Sequence, residues 1–112
     1  MGGSDLIPDR PTKPTTKPGS RVVKEVEVGN RRGLHARAAA KFCALAGALD
    51  ATVRVRKDDL EVGGCSIMGL LLLGAGLGSR IAIVVEAEDD AAATAACGVL
   101  VDLVESRFGE DA

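Results

Sequence analysis

Residues 22–28, VVKEVEV, alternate well enough to predict a half-buried strand, with Val22, Val26 and Val28 on one face and Glu25 and Glu27 on the other. GNRRG (29–33) reads as a loop. Over 36–49 the period changes. Ala39, Phe42, Cys43, Ala46 and Leu49 recur at helical spacing and form one apolar stripe. ATVRVR (51–56) alternates again, and Lys57-Asp58-Asp59 turns the chain into a short strand at 60–62, giving a hairpin. Gly63-Gly64 then interrupts. Ser66 is placed to cap a short helix running to Leu73, its hydroxyl accepting from a free amide of the first turn. After the glycine-rich turn GAGLGS (74–79), RIAIVVEA (80–87) is the most strand-like segment. Asp89 or Asp90 can cap a last helix with the stripe Ala93, Ala96, Cys97, Leu100, Leu103 and Val104, which Gly109 is expected to stop.

The order strand, helix, strand, strand, helix, strand, helix implies an α+β domain of two layers. It is an open-faced sandwich, a four-stranded antiparallel sheet covered on one face by three helices. All four prolines fall within residues 1–20, which are nearly devoid of apolar side chains and are assigned to a flexible tail. The domain is expected over 21–109, with 110–112 as a C-terminal tail.

Composition narrows the chemistry. Aromatics are only 2%, so the core rests on Val, Leu, Ile, Ala and two Phe, and base stacking on single-stranded nucleic acid has no supply. The net charge of −2 offers no general attraction to nucleic acid or to a membrane surface. Its distribution is uneven, however. Residues 21–57 carry nine Lys/Arg against three Asp/Glu, and 58–112 carry two against eleven. Arg31, Arg32, Arg37 and Lys41 of the basic half all lie close in sequence to His35, a face suited to an acidic partner or a phosphoryl group, or else to plain solvation. Cys43, Cys65 and Cys97 show no Cys-x-x-Cys spacing, and with one histidine a metal site is poorly supplied; no cofactor is expected. No apolar run approaches the ~20 residues a membrane span needs, so a cytoplasmic, monomeric protein is expected.

His35 begins the first predicted helix, inside GLHARAAAKF (33–42). There the free N–H groups and the positive dipole end favour a neutral imidazole with a free ring nitrogen, and they also welcome an anion. A phosphoryl group on that nitrogen would meet the amides of Ala36 and Arg37, and the Arg37 guanidinium could add a charge-assisted contact. Gly33 lets the backbone turn closely before the site. Nothing in the sequence marks an orienting carboxylate, and spacing alone leaves the histidine's role open.

GLHARAAAKF resembles the phosphorylation-site motif of the HPr family, the histidine-containing phosphocarriers of the bacterial phosphotransferase system. CSIMGLLLLG (65–74) resembles the same family's serine-site region, and the two motifs stand in the family's strand–helix order. The resemblance spans 21–109. It implies that His35 accepts a phosphoryl group on Nδ1 from the phosphohistidine of enzyme I, charged by phosphoenolpyruvate, and passes it to an enzyme IIA. Arg37 and the Ala36 N–H would stabilise that group. On this reading the protein is a relay and not an enzyme with its own catalytic cycle. The resemblance further implies that Ser66 is modified by HPr kinase/phosphorylase, and that Ile67, Met68 and Leu71 form an apolar partner surface while Leu70 and Leu73 face the sheet.

Two departures stand out. Ala38 replaces the proline many members have after the arginine, and Cys65 precedes the serine where Lys or Thr is frequent. VGGCSIMGLLLLGAG and RGLHARA resemble alphaproteobacterial members, which are often tied to the nitrogen-related branch. The alternative is a non-transferring regulatory module of the same fold, docking on a transcription factor or kinase. Such relatives lack the histidine, and the presence of His35 with Arg37 discriminates against it. An acid–base or metal enzyme is disfavoured by the single histidine.

Overall fold

A computed structural model describes residues 19–111. The elements are β1 (Ser20–Glu27), α1 (Ala36–Ala48), β2 (Thr52–Lys57), β3 (Leu60–Gly63), α2 (Ile67–Leu72), β4 (Arg80–Ala87) and α3 (Asp90–Glu105), followed by a single 3-10 turn (Arg107–Gly109). The strands form one antiparallel sheet in the order β1-β4-β2-β3. This is the open-faced α+β architecture expected from the alternation of periods.

Register explains the core. Val22, Val85 and Val53 stand side by side across three strands, Ile83 pairs with Val55, and Val26 pairs with Ile81. These side chains point at Phe42, Leu70, Leu100, Val104 and Phe108, all buried. Continuous burial over residues 81–85 shows that β4 is covered on both faces. On the face without helices, Val84 lies between Val23 and Arg54, and Ala82 between Glu25 and Arg56. Long arginine stems on an adjacent strand can cover apolar neighbours while their charged ends stay wet. Here those ends pair with Glu61, at 3.7 Å from Arg54 and 3.5 Å from Arg56.

In α1 the predicted stripe is buried at Ala39, Phe42 and Ala46, but Cys43 and Leu49 are only half-buried and Ala38 joins the core. The Asp89 carboxylate caps α3 by accepting from the Ala92 amide at 2.8 Å.

Three boundaries differ from expectation. The proline-rich tail assigned to 1–20 lies outside the described residues apart from its end, where Ser20 opens β1 opposite Ala87. Helix α3 stops at Glu105 rather than at Gly109, because Arg107, Phe108 and Gly109 all take positive φ (60°, 56° and 78°). That reversal drives the Phe108 ring into the core, 1% exposed. Glu110, assigned to a tail, instead reaches the histidine.

Candidate functional site

The local geometry around His35 is set by two glycine-bearing turns that grip each other. Val28 and Gly78 exchange backbone partners across the start of the loop, with Val28 N–H donating to Ser79 O and Gly78 N–H to Val28 O, both at 2.8 Å. Leu34 N–H donates to Ala75 O at 2.8 Å. Gly33 sits at φ +68°, where a Cβ would lie 2.5 Å from Ala75 O and 2.7 Å from Gly76 Cα. Only glycine meets both demands, left-handed φ and close backbone approach. The loop after α2 therefore holds the turn that delivers His35.

His35 itself is the N-cap of α1, in extended conformation, and its side chain makes no capping hydrogen bond. Its carbonyl accepts from Ala39 N–H at 2.8 Å, so the first-turn amides of Ala36, Arg37 and Ala38 lack intrahelical partners. The imidazole is held from the far end of the chain: His35 Nε2 lies 2.5 Å from Glu110 Oε2. A carboxylate can only accept, so a neutral ring carries its proton on Nε2 and leaves the Nδ1 lone pair free. Glu110 Oε1 accepts from Asn30 Nδ2 at 3.0 Å, and the same amide donates to Gly33 O at 2.8 Å. Asn30 is fully buried, and its Oδ1 has no partner among the described residues. The hydrogen bond from His35, then that from Asn30, hold the Glu110 carboxyl below its ordinary range. Partial desolvation opposes this shift, and the charges of His35 and Lys41 assist it.

Lys41 completes the clasp rather than serving as a free surface cation. Its Nζ donates to Phe108 O at 2.7 Å, pinning the left-handed turn from which Glu110 extends. Arg37 is exposed on the first turn of α1 and makes no ion pair among the described residues; Arg31 and Arg32 are likewise exposed.

Ser66 caps α2 as expected, its Oγ accepting from Gly69 N–H at 3.0 Å. Leu70 and Leu73 are buried, whereas Ile67, Met68 and Leu71 are exposed by 40%, 70% and 36%. Leu72 and Leu77, which sequence reasoning did not single out, are also exposed, by 70% and 62%. Asn30 and Glu110 were also missed. Asn30 lay in a stretch read only as loop, and Glu110 stood beyond the last predicted helix, so the expectation of no orienting carboxylate is corrected. Among the described residues no group of three or more His, Cys, Asp or Glu could hold a metal ion, and no helix is long and apolar enough to cross a membrane.

A ring nitrogen with a free lone pair, first-turn amides without intrahelical partners, an exposed guanidinium and a carboxylate holding the ring make an arrangement that can receive an anionic group. The family described as "PTS HPr component phosphorylation site" matches residues 22–105. The phosphocarrier protein HPr of Treponema pallidum (strain Nichols) is 39% identical over 90 residues, covering 80% of this chain and 99% of that protein. The phosphocarrier protein NPr of Shewanella violacea is 35% identical over 92 residues, covering 81% and 97%. The crystal structure of HPr-C-His from Thermoanaerobacter tengcongensis superposes with a TM-score of 0.72 at 37% identity, covering 81% of this chain and 99% of that one. The chain belongs to the HPr family of phosphocarriers of the phosphotransferase system.

Proposed function

We propose that His35 is the phosphoryl acceptor and that Nδ1 is the atom that carries the group. The observation that carries this reading is the Nε2–Glu110 contact at a helix N-terminus, which leaves Nδ1 as the ring's free nucleophile. In the forward step the P–N bond of phosphohistidine on enzyme I breaks as a bond from phosphorus to His35 Nδ1 forms. The second step reverses the roles, with His35 the leaving group and a histidine of an enzyme IIA the acceptor. Such a transfer needs positioning and charge stabilisation more than covalent help. Arg37 and the Ala36 N–H offer that stabilisation to the phosphoryl oxygens. Glu110 orients the ring and balances the positive charge that imidazole gains as Nδ1 bonds to phosphorus.

The apolar surface of Ile67, Met68 and Leu71, with Leu72 on the same short helix, is our candidate for the face that meets donor and acceptor alike. Ser66 is proposed as a regulatory site for HPr kinase/phosphorylase: a phosphate there would add nearly two negative charges beside that surface. The motif resemblance supports a cytoplasmic place in the nitrogen-related branch, where such relays regulate rather than transport.

Incubation with phosphoenolpyruvate and enzyme I, followed by intact-mass measurement, tests the central claim. An acid-labile, base-stable adduct absent from His35→Ala is expected; no adduct with a compatible enzyme I would overturn it. For the serine, labelling by the kinase with ATP should be lost in Ser66→Ala, and equal labelling of both chains sinks the regulatory reading.

A further inference from the structure

Three cysteines are present, and their settings differ. Cys97 is sealed beneath α3 at 1% exposure, and burial pushes its thiol pKa up. The other two lie together, outside the histidine site. Cys43 is half-buried on α1, and its Sγ donates to the backbone carbonyl oxygen of Cys65 at 3.0 Å. Cys65 is exposed in the turn leading into α2, and its Sγ lies 3.8 Å from where a Cβ on Gly47 would stand. Residues 43 and 47 are one helical turn apart on the same face of α1. Both thiols therefore occupy one seam between α1 and the Cys65 turn. A carbonyl oxygen is about 2.4 Å from its own Cα by standard geometry, so the Cys43 sulfur lies within about 5.4 Å of the Cys65 Cα. Closing the bridge takes a χ1 rotation away from the carbonyl and whatever approach of the Cys65 turn brings the two Cα atoms within disulfide range.

We propose that Cys43 and Cys65 are a reversible redox modification site, closing an intramolecular disulfide that staples α1 to the residue preceding Ser66. The oxidant is a low-molecular-weight disulfide, with oxidised glutathione as the probe. The accessible Cys65 thiolate attacks one sulfur of that disulfide. The oxidant's S–S bond breaks, and its other half leaves as a thiol with the proton that Cys65 gave up. The Cys43 thiolate then attacks the Cys65 sulfur of the mixed disulfide and releases the second half as a thiol with its own proton. Two protein thiols are oxidised, one small disulfide is reduced to two small thiols, and excess thiol runs the sequence backwards. The staple replaces the Cys43–Cys65 hydrogen bond and fixes the approach to the Ser66 cap, so oxidation would alter what a serine-reading partner meets. The pairing does not depend on the role of His35.

The test uses the folded chain with oxidised glutathione, followed by alkylation of remaining thiols and tryptic mapping without reduction. Cleavage after Arg54, Arg56 and Lys57 parts Cys43 from Cys65, and cleavage after Arg80 parts both from Cys97. The expected product is a link between the Cys43 and Cys65 peptides that disappears with reductant, while Cys97 stays outside it. Cys43→Ser should stall as a stable glutathione adduct on Cys65 under conditions that leave the wild type free of adduct. A lasting adduct on wild-type Cys65, a Cys65–Cys65 link between chains, or unchanged free thiols would overturn the proposal.

Discussion

At the scale of single residues, the site depends on what two side chains do and on what one side chain omits. A methyl group at Gly33 would collide with Ala75 O and Gly76 Cα and would also be held at positive φ. Gly33→Ala is expected to cost about 2 kcal/mol or more, read from the shift in the urea unfolding midpoint. Glu110→Gln keeps the shape of the clasp and removes its charge. By analogy with groups that orient metal-ligating histidines, phosphoryl uptake should slow by about tenfold or more in single-turnover kinetics. The same variant has a pH signature. Because the Glu110 carboxyl is depressed in the folded chain, its contribution to stability is complete above the ordinary carboxylate range. That contribution is lost as pH falls through the lowered folded value. The gap in melting temperature between wild type and Glu110→Gln should be widest near neutrality and close in acid.

Elements show where local patterning suffices and where it fails. The apolar stripe of α1 and the alternation of β1 and β2 are determined by neighbours within a turn or a pleat, so period alone located them. Helix α2 is different: six residues form no stable helix by themselves, and it persists through the Ser66 cap and the burial of Leu70 and Leu73. Its outward side is then free for another role. Met68→Ser combined with Leu72→Ser removes two side chains that are each 70% exposed. Stability should change by less than about 1 kcal/mol, while affinity for the phosphoryl donor, measured by calorimetry, should fall. An unchanged affinity would remove α2 from the docking surface. The end of α3 was misread for a physical reason. Gly109 is a fair stop signal, but the helix ends sooner because burying Phe108 outweighs continued helical hydrogen bonding. A non-glycine residue at positive φ leaves no compositional mark.

For the molecule as a whole, the two-layer α+β class, though not the strand order β1-β4-β2-β3, was legible because amphipathic strands and helices must bury their apolar faces against one another. Asn30 and Glu110 were not, since neither is near the other or near His35 in any local window. Phe108 is what brings them into register, by anchoring the segment that carries Glu110. Phe108→Ala should destabilise the fold by about 3 kcal/mol or more, and it should also release Lys41 and the clasp. Histidine ring chemical shifts in the folded variant would report the second effect separately, moving toward those of Glu110→Gln.

The contact between His35 and Glu110 spans 75 residues, and that between Asn30 and Glu110 spans 80. Translation proceeds from the amino end, so on the ribosome the histidine emerges long before its carboxylate has been made. Contacts of such sequence separation also form late in refolding, after the entropy of closing the intervening chain has been met. A partly synthesised or partly folded chain thus displays the His35 ring without the group that fixes its proton. The arrangement we propose for phosphoryl uptake is complete only once Glu110 has been made and has docked against the ring.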